Sequence, residues 1–180
     1  MWLFLACAEP VAPEPAGITV SEAVQVVPAG AGIVLPPEVL PQASNNNLDV
    51  AWLDGALFLA FRTGPSHFAS PDVVMYVVRS VDGGNTWTHE LSLAMGTDLR
   101  EPRLLSFQGK LFLYFAVLGE DASDFEPQGS MVTVRESGTW STPAWLFESD
   151  FIHWRVREVD GTAYMIGYTG GGQIYDFESD

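Results

Sequence analysis

The sequence predicts an all-β fold assembled from repeated antiparallel hairpins. Three observations support this prediction: short apolar runs separated by glycine-containing turns, a composition rich in turn-forming and aromatic residues, and an internal repeat. The 180 residues include 17 Gly, 12 Pro, 6 Trp and 11 Phe. Hydrophobic residues make up 47% of the chain, which is enough for one sizeable core and too many for a disordered protein.

The first 17 residues have the features of a processed leader. A short apolar run ends at Cys7, the single cysteine, and a proline-rich stretch follows as far as Gly17. This order resembles a bacterial lipoprotein signal, which implies lipidation of Cys7 and a place in the cell envelope or outside the cell. The alternative is an ordinary N-terminus with an incidental thiol. Residues 1–17 are therefore set apart from the fold, and 18–44 are expected to be extended, with at most an edge strand.

Three later segments repeat one pattern, in which two apolar strands flank a tight turn. Their turn glycines are Gly55, Gly109 and Gly161, spaced by 109 − 55 = 54 and 161 − 109 = 52 residues. Asp-Gly between two alternating runs predicts a β-hairpin, because glycine accepts the positive φ that the turn requires. A second hairpin follows in the first two units, and its tryptophans, Trp87 and Trp140, lie 140 − 87 = 53 residues apart.

Each unit is thus predicted to contain four antiparallel strands. Units of this kind at a period of roughly 50 residues describe a β-propeller of four-stranded blades. We expect about two and a half blades, over 45–93, 98–148 and 152–180, which together form the domain 45–180. The alternative is a β-sandwich with coincidental spacing. Because a propeller needs at least about four blades to close, the chain is expected to belong to a longer protein or to self-associate through open sheet edges.

The turn before the first of these tryptophans carries a specific motif. Residues 80–87, S-V-D-G-G-N-T-W, match S-x-D-x-G-x-T-W at all five fixed positions: Ser80, Asp82, Gly84, Thr86 and Trp87. In a hairpin the aspartate can accept turn amide hydrogens, and the tryptophan can wedge against neighbouring strands. The motif resembles the Asp box of sialidases and related propellers. Such a box is a structural turn, so the resemblance implies a fold and not a catalytic role.

A second resemblance lies at Leu99-Arg100-Glu101-Pro102. It is similar to the Arg-x-Pro motif with which sialidases hold a substrate carboxylate, and to the Arg-Asp-Pro of five-bladed glycosidases of the invertase type. The resemblance implies that Arg100 binds substrate and that carboxylates act as acid, base or nucleophile in glycoside hydrolysis. Asp98 and Glu101 are accordingly the predicted catalytic residues.

Blade topology places the longer connections together on the face opposite the Asp-Gly turns and the Asp box. Loops on a rigid scaffold commonly carry function. Arginines on this face can bind an anionic sugar bidentately, despite a formal net charge of −15. The predicted substrate-binding residues of this face are Arg62, His67, Arg100, His153 and Arg155. The alternative for each charged residue is a structural ion pair between blades.

Composition also disfavours several classes of function. So acidic a chain is repelled by nucleic acid, and no apolar run approaches the roughly 20 residues of a membrane span. The 3 histidines lack ligand spacing, so neither a metal nor another cofactor is expected. We predict a secreted or lipid-anchored, sialidase-like glycoside hydrolase acting on carbohydrate. The alternatives are a non-catalytic glycan- or protein-binding propeller module and an inactive fragment.

Overall fold

A computed structural model describes residues 22–123, 126–148, 150–169 and 174–179. These residues form three antiparallel sheets that follow one another along the chain, which confirms the all-β prediction. They do not close into a barrel or a propeller, so the propeller stays a prediction. In this part of the chain, no helix is long and apolar enough to cross a membrane. Cys7 and the rest of the predicted leader lie outside the described residues.

Sheet 1 contains four strands in chain order: β1 (Ser44–Leu53), β2 (Ala56–Gly64), β3 (Val74–Ser80) and β4 (Thr88–Leu93). The β1–β2 turn is formed by Asp54 and Gly55, whose φ angles are 49° and 75°. This is the backbone conformation that the Asp-Gly signal predicts. The fourth strand begins only at Thr88, because the preceding residues belong to the turn.

The Asp82 carboxylate organises that turn. It accepts hydrogen bonds from the Ser80 hydroxyl at 2.7 Å and from the amides of Asn85 and Thr86 at 3.2 and 2.9 Å. These bonds favour the charged form and lower the pKa of Asp82 to about 2. Trp87 is buried, and its indole nitrogen donates to the Gly84 carbonyl at 2.8 Å. The motif thus closes the β3–β4 connection.

Sheet 2 contains three long strands and a divided outer edge: β5 (Leu99–Phe107), β6 (Lys110–Leu118), β7 (Pro127–Glu136), β8 (Thr139–Trp140) and β9 (Ala144–Glu148). Both β8 and β9 pair with β7. Between them the Ser141 hydroxyl accepts the Val134 amide at 3.0 Å, so a side chain takes the place of a ladder carbonyl. Pro143 adds to the interruption because it has no amide hydrogen to donate.

Sheet 3 contains three strands: β10 (Phe151–Val159), β11 (Thr162–Thr169) and β12 (Ile174–Ser179). The three sheets therefore span 44–93, 99–148 and 151–179, beside predicted blades at 45–93, 98–148 and 152–180. They pack in chain order, and their first strands are neighbours, with β1 against β5 and β5 against β10.

Apolar side chains fill the spaces between successive sheets. Phe58 and Met75 of sheet 1 pack with Leu113 and Phe115 of sheet 2, and all four are 0–1% exposed. A smaller core between sheets 2 and 3 includes Leu105, Phe112, Phe151 and Met165. Burial of these faces, rather than the ladders alone, fixes how the sheets are stacked.

An ion pair also joins sheets 1 and 2. Arg135 of β7 donates to both carboxylate oxygens of Glu90 on β4, at 2.7 and 3.2 Å. Its guanidinium lies 5.1 Å from the centre of the Phe58 ring. This bidentate pair is mostly buried, with 17% and 12% of the two side chains exposed.

The segment before β1 covers part of the outer side of sheet 1. Its apolar residues pack against Leu59, Phe61 and Trp87; they are Val26, Val27, Ile33, Leu35 and Val39. The edge strand that was considered for 18–44 is reduced, in the described part from residue 22, to a single parallel bridge between Val34 and Thr86.

Candidate functional site

Polar side chains collect where the first strands of the three sheets begin. Each of these strands contains one extra residue near its start, a β-bulge, at 46–48, 100–103 and 153–155. Three residues lie at equivalent positions, each six residues before the last paired residue of its strand (53 − 47 = 6, 107 − 101 = 6 and 159 − 153 = 6). We call Asn47, Glu101 and His153 the bulge residues, although in β10 the unpaired residue is the next one, Trp154. Asn47 and Glu101 have positive φ angles of 44° and 50°, which is uncommon for residues other than glycine.

The bulge residues connect neighbouring sheets. The side-chain amide nitrogen of Asn47 donates to Glu101 Oε1 at 2.6 Å. The His153 ring lies on the other side, with Nε2 2.7 Å from the Glu101 carbonyl oxygen. Residues at one position of the repeat therefore form a chain of hydrogen bonds across all three first strands.

Arg62 and Asp98 form a buried ion pair next to this chain. Both side chains are 0% exposed, and Arg62 Nε donates to Asp98 Oδ1 at 2.8 Å. The other two guanidinium nitrogens donate to the carbonyl oxygens of Ser66 and Phe68 at 3.0 and 2.9 Å. Arg62 thus holds the β2–β3 connection in place, and this burial leaves it no access to a ligand.

Asp98 has a second partner in Arg100. Asp98 Oδ2 accepts the Nε hydrogen of Arg100, while Arg100 Nη2 donates to the His67 carbonyl at 2.8 Å. With both oxygens in ion pairs and no solvent contact, Asp98 is a positioning group rather than a proton donor. Arg100 is 17% exposed, and among the described residues its Nη1 has no partner. Arg100 therefore offers a free donor at the surface.

Glu101 also reaches the surface, with 20% of its side chain exposed. Its Oε1 accepts from Asn47, as described above, and its Oε2 accepts from Arg103 Nη2 at 2.8 Å. The carboxylate is thus held in a fixed orientation by two donors. Each oxygen keeps lone-pair capacity for one further donor from a ligand.

His67 is exposed beside Arg100. Its Nδ1 lies 3.4 Å from the side-chain nitrogen of Asn46, and its ring contacts that of Phe68 edge-on. The structure therefore brings together three of the predicted substrate-binding residues, Arg62, His67 and Arg100, although Arg62 lies beneath the surface.

His153 is buried between sheets 2 and 3. Since a carbonyl oxygen only accepts, Nε2 carries the proton toward Glu101, and Nδ1 accepts from the Ser130 hydroxyl at 2.9 Å. Burial lowers the pKa of His153 to about 4, so the ring is neutral at pH 7. This prediction of a ligand-binding histidine is not supported by the placement, because the ring is 0% exposed and acts as a link between sheets.

Arg155 lies apart from this group. It is exposed on β10, and its side chain makes no hydrogen bond or ion pair with the described residues. Neither Arg103 nor Trp154 is among the site residues that the sequence predicts. Arg103 Nε donates to the Trp154 carbonyl at 2.7 Å, and its guanidinium lies 5.9 Å from the centre of that ring. The one available signal was the repeat, which places both residues near the bulges.

The exposed parts of this region form one surface, which we call the rim cluster: Asn46, His67, Phe68, Arg100, Glu101 and Trp154. Phe68 and Trp154 are 62% and 52% exposed, so two apolar rings accompany a free donor and a fixed carboxylate. Tyr168 contacts the Trp154 ring edge-on. Burial and the negative charge of Glu101 raise the pKa of Tyr168, so it stays protonated and is a poor nucleophile at neutral pH.

The described residues contain no group of three or more His, Cys, Asp or Glu side chains that could hold a metal ion. No protein-family model and no curated protein matches the sequence. The chain is similar in fold to the crystal structure of a protein of unknown function from Dyadobacter fermentans, with a TM-score of 0.59 and 17% identity. The match covers 76% of this chain and 51% of that protein, so the chain spans about half the length of its structural neighbour.

Proposed function

We propose that the chain is part of a carbohydrate-binding β-propeller whose rim cluster binds a sugar carboxylate without cleaving the glycosidic bond. The observation that carries the proposal is the surface itself. A free Arg100 donor and the fixed Glu101 carboxylate lie on a surface with two exposed rings. Sugars present hydroxyl groups to polar side chains and C–H faces to rings, and both kinds of partner are present.

The arrangement of the sheets supports the propeller. Three antiparallel sheets follow one another in chain order with their first strands adjacent, as blades do around an axis. A β-sandwich contains two packed sheets, whereas here three sheets stack in succession. The surface at the start of the first strands then corresponds to the loop face on which the sequence predicts the site.

Local charge favours an anionic sugar. Three arginines (Arg62, Arg100 and Arg103) surround two carboxylates (Asp98 and Glu101), which gives 3 − 2 = +1 in a chain of net charge −15. An arginine with a free Nη is suited to a carboxylate, because the guanidinium matches its geometry.

Hydrolysis is less well supported than binding. Glycosidases use two carboxylates on opposite sides of the scissile bond, one as acid and one as base or nucleophile. Asp98 is inaccessible, and Glu101 is held by an amide and an arginine. We therefore favour the binding module over the sialidase-like enzyme that the sequence motifs imply.

The test is a titration of the full chain with N-acetylneuraminic acid and glucuronic acid, with glucose as the neutral comparison. Tryptophan fluorescence and calorimetry report the binding. We expect saturable binding of the acidic sugars, and Arg100→Ala should weaken it about 10- to 100-fold, the range for a lost hydrogen bond to a charged group.

Arg79→Ala is the matched control, since Arg79 lies on β3 beside the Asp-box turn and away from the rim cluster. The control should bind as the wild type does. Failure of every acidic sugar to bind, or equal loss in both variants, would overturn the proposal. Release of reducing sugar from an aryl glycoside of either acid would replace it with the hydrolase.

A further inference from the structure

The packing between successive sheets is repetitive. We call the side of a sheet that packs on the preceding sheet its rear face, and the side that packs on the following sheet its forward face. Leu104, Leu113 and Phe115 form part of the rear face of sheet 2, and they are 6%, 0% and 0% exposed against sheet 1. Val156 and Met165 play the same part in sheet 3.

The rear face of sheet 1 repeats these side chains. Val50, Leu59 and Phe61 are the equivalents, since 104 − 50, 113 − 59 and 115 − 61 all equal 54. The segment before β1 covers the outer strands of this face, but along β1 it stays open. There Leu48, Val50 and Trp52 are 62%, 53% and 60% exposed. Leu48 and Val50 line a cavity of about 350 Å³. Such an exposed apolar row on a sheet face indicates an interaction surface.

The forward face of sheet 3 is open in the same way. Val159 and Ile166 are 52% and 44% exposed. Their equivalents in sheet 2, at 159 − 52 = 107 and 166 − 52 = 114, are Phe107 and Tyr114, which pack into the core against sheet 3. One chain therefore carries both halves of the interface that joins its own sheets.

A charged side chain crosses each existing interface at one position of the repeat. The Asp49 carboxylate accepts the Leu104 amide of the next first strand at 2.9 Å. At the equivalent position in sheet 2, Arg103 donates to the Trp154 carbonyl at 2.7 Å. Arg155 occupies the same position in sheet 3. No further sheet follows it within the described residues, and its side chain has no partner among them.

We propose that copies of this chain associate head to tail, with the forward face of sheet 3 in one copy packed on the β1 side of the rear face of sheet 1 in the next. Arg155 donates to the backbone beside the bulge of β1, as Arg103 does beside the bulge of β10. The rear face also lacks a donor, because the buried Oδ1 of Asn45, beside the cavity, has no hydrogen-bond partner among the described residues. Contact between two different faces is heterologous, so it extends beyond a dimer unless the ring closes.

The experiment is sedimentation velocity on the full chain over a concentration series, under reducing conditions that exclude a Cys7 disulfide. Salt at about 0.15 M limits the charge interactions to about 8 Å. Val50→Lys blocks the rear face and Ile166→Lys blocks the forward face. Both sites are half-exposed, and the added lysine reduces the net negative charge, so repulsion cannot explain a loss of association. Val81→Lys, at a 69% exposed position of the Asp-box turn, is the control.

We expect the wild type and Val81→Lys to associate as concentration rises, while each face variant alone stays monomeric. An equimolar mixture of the two face variants should form dimers and nothing larger, because each contributes one intact face. Arg155→Ala should weaken association about tenfold.

A wild type that stays monomeric at every concentration would overturn the proposal and leave these faces to a sheet from another source. Association that the face variants do not change would assign it to sheet edges instead. Association of one face variant alone would show a symmetric contact, which also contradicts the proposal.

Discussion

Replacement of Arg62 tests whether the buried ion pair stabilises the fold. Arg62→Met removes the fork that holds Asp98 and the carbonyl oxygens of Ser66 and Phe68. Removing one partner of a buried pair costs about 3–5 kcal/mol, because the other charge stays buried. We expect a value near the lower end, about 3 kcal/mol, since Asp98 keeps Arg100 as a second partner.

Urea unfolding monitored by tryptophan fluorescence measures this decrease in the free energy of unfolding. For a chain of this length, about 3 kcal/mol corresponds to a fall of roughly 6–12 °C in Tm. Arg79→Met is the control, because Arg79 is only partly buried and makes no ion pair with the described residues. It should change the free energy of unfolding by no more than about 0.5 kcal/mol.

A double variant distinguishes the ion pair from lost packing. Asp98→Asn removes the charge that Arg62→Met leaves unpaired, so the combined cost should be smaller than the sum by about 1–3 kcal/mol. Strict additivity, or a cost below about 1 kcal/mol for Arg62→Met, would refute the reasoning that this pair is an energetic link.

Three further outcomes follow from the contacts between sheets. The pKa of His153 is lowered to about 4, below about 6.5 for an unfolded histidine, so the unfolded chain binds more protons between these values. The free energy of unfolding should therefore fall by up to about 3 kcal/mol between pH 6.5 and pH 4. Urea unfolding at both pH values should show a smaller fall for His153→Gln, and an equal fall in the variant and the wild type would contradict this prediction. A double-mutant cycle of Glu90→Gln and Arg135→Met should give a coupling of about 1–3 kcal/mol, whereas zero coupling would reduce the pair to a surface contact. Trp87→Ala should cost about 3–5 kcal/mol and speed hydrogen exchange across 22–43, and unchanged exchange there would show that the segment does not depend on the indole.

The strand pattern of this fold was largely predictable, because local chemistry determines it. Asp54-Gly55 specifies a tight turn by its need for positive φ, and alternating apolar residues specify which face is buried. The boundaries of the outer strands were harder to predict. The Ser141 hydroxyl replaces a ladder carbonyl, and the Asp82 carboxylate holds the turn that precedes β4, so side-chain hydrogen bonds determine both boundaries.

The candidate site was predictable in location but not in accessibility. Topology brings Arg62, Asp98 and Arg100 to one end of the sheets, as the loop-face argument predicted. Sequence cannot tell a buried pair from an exposed one, because that depends on how the next sheet covers it. It also contains no local signal for the positive φ of Glu101, since that conformation is maintained by contacts with neighbouring sheets.

The extra residue in each first strand has a consequence for insertions and deletions. Side chains alternate between the two sides of a strand, so one added residue reverses the orientation of everything upstream of it. In β5 the reversal affects Leu99 and Arg100, which precede the bulge. Deletion of Glu101 would restore a regular ladder, and the side chains of Leu99 and Arg100 would then point to the opposite sides of the sheet. The rim cluster therefore depends on the number of residues in the strand as well as on their types. A one-residue deletion there would be more damaging than most substitutions.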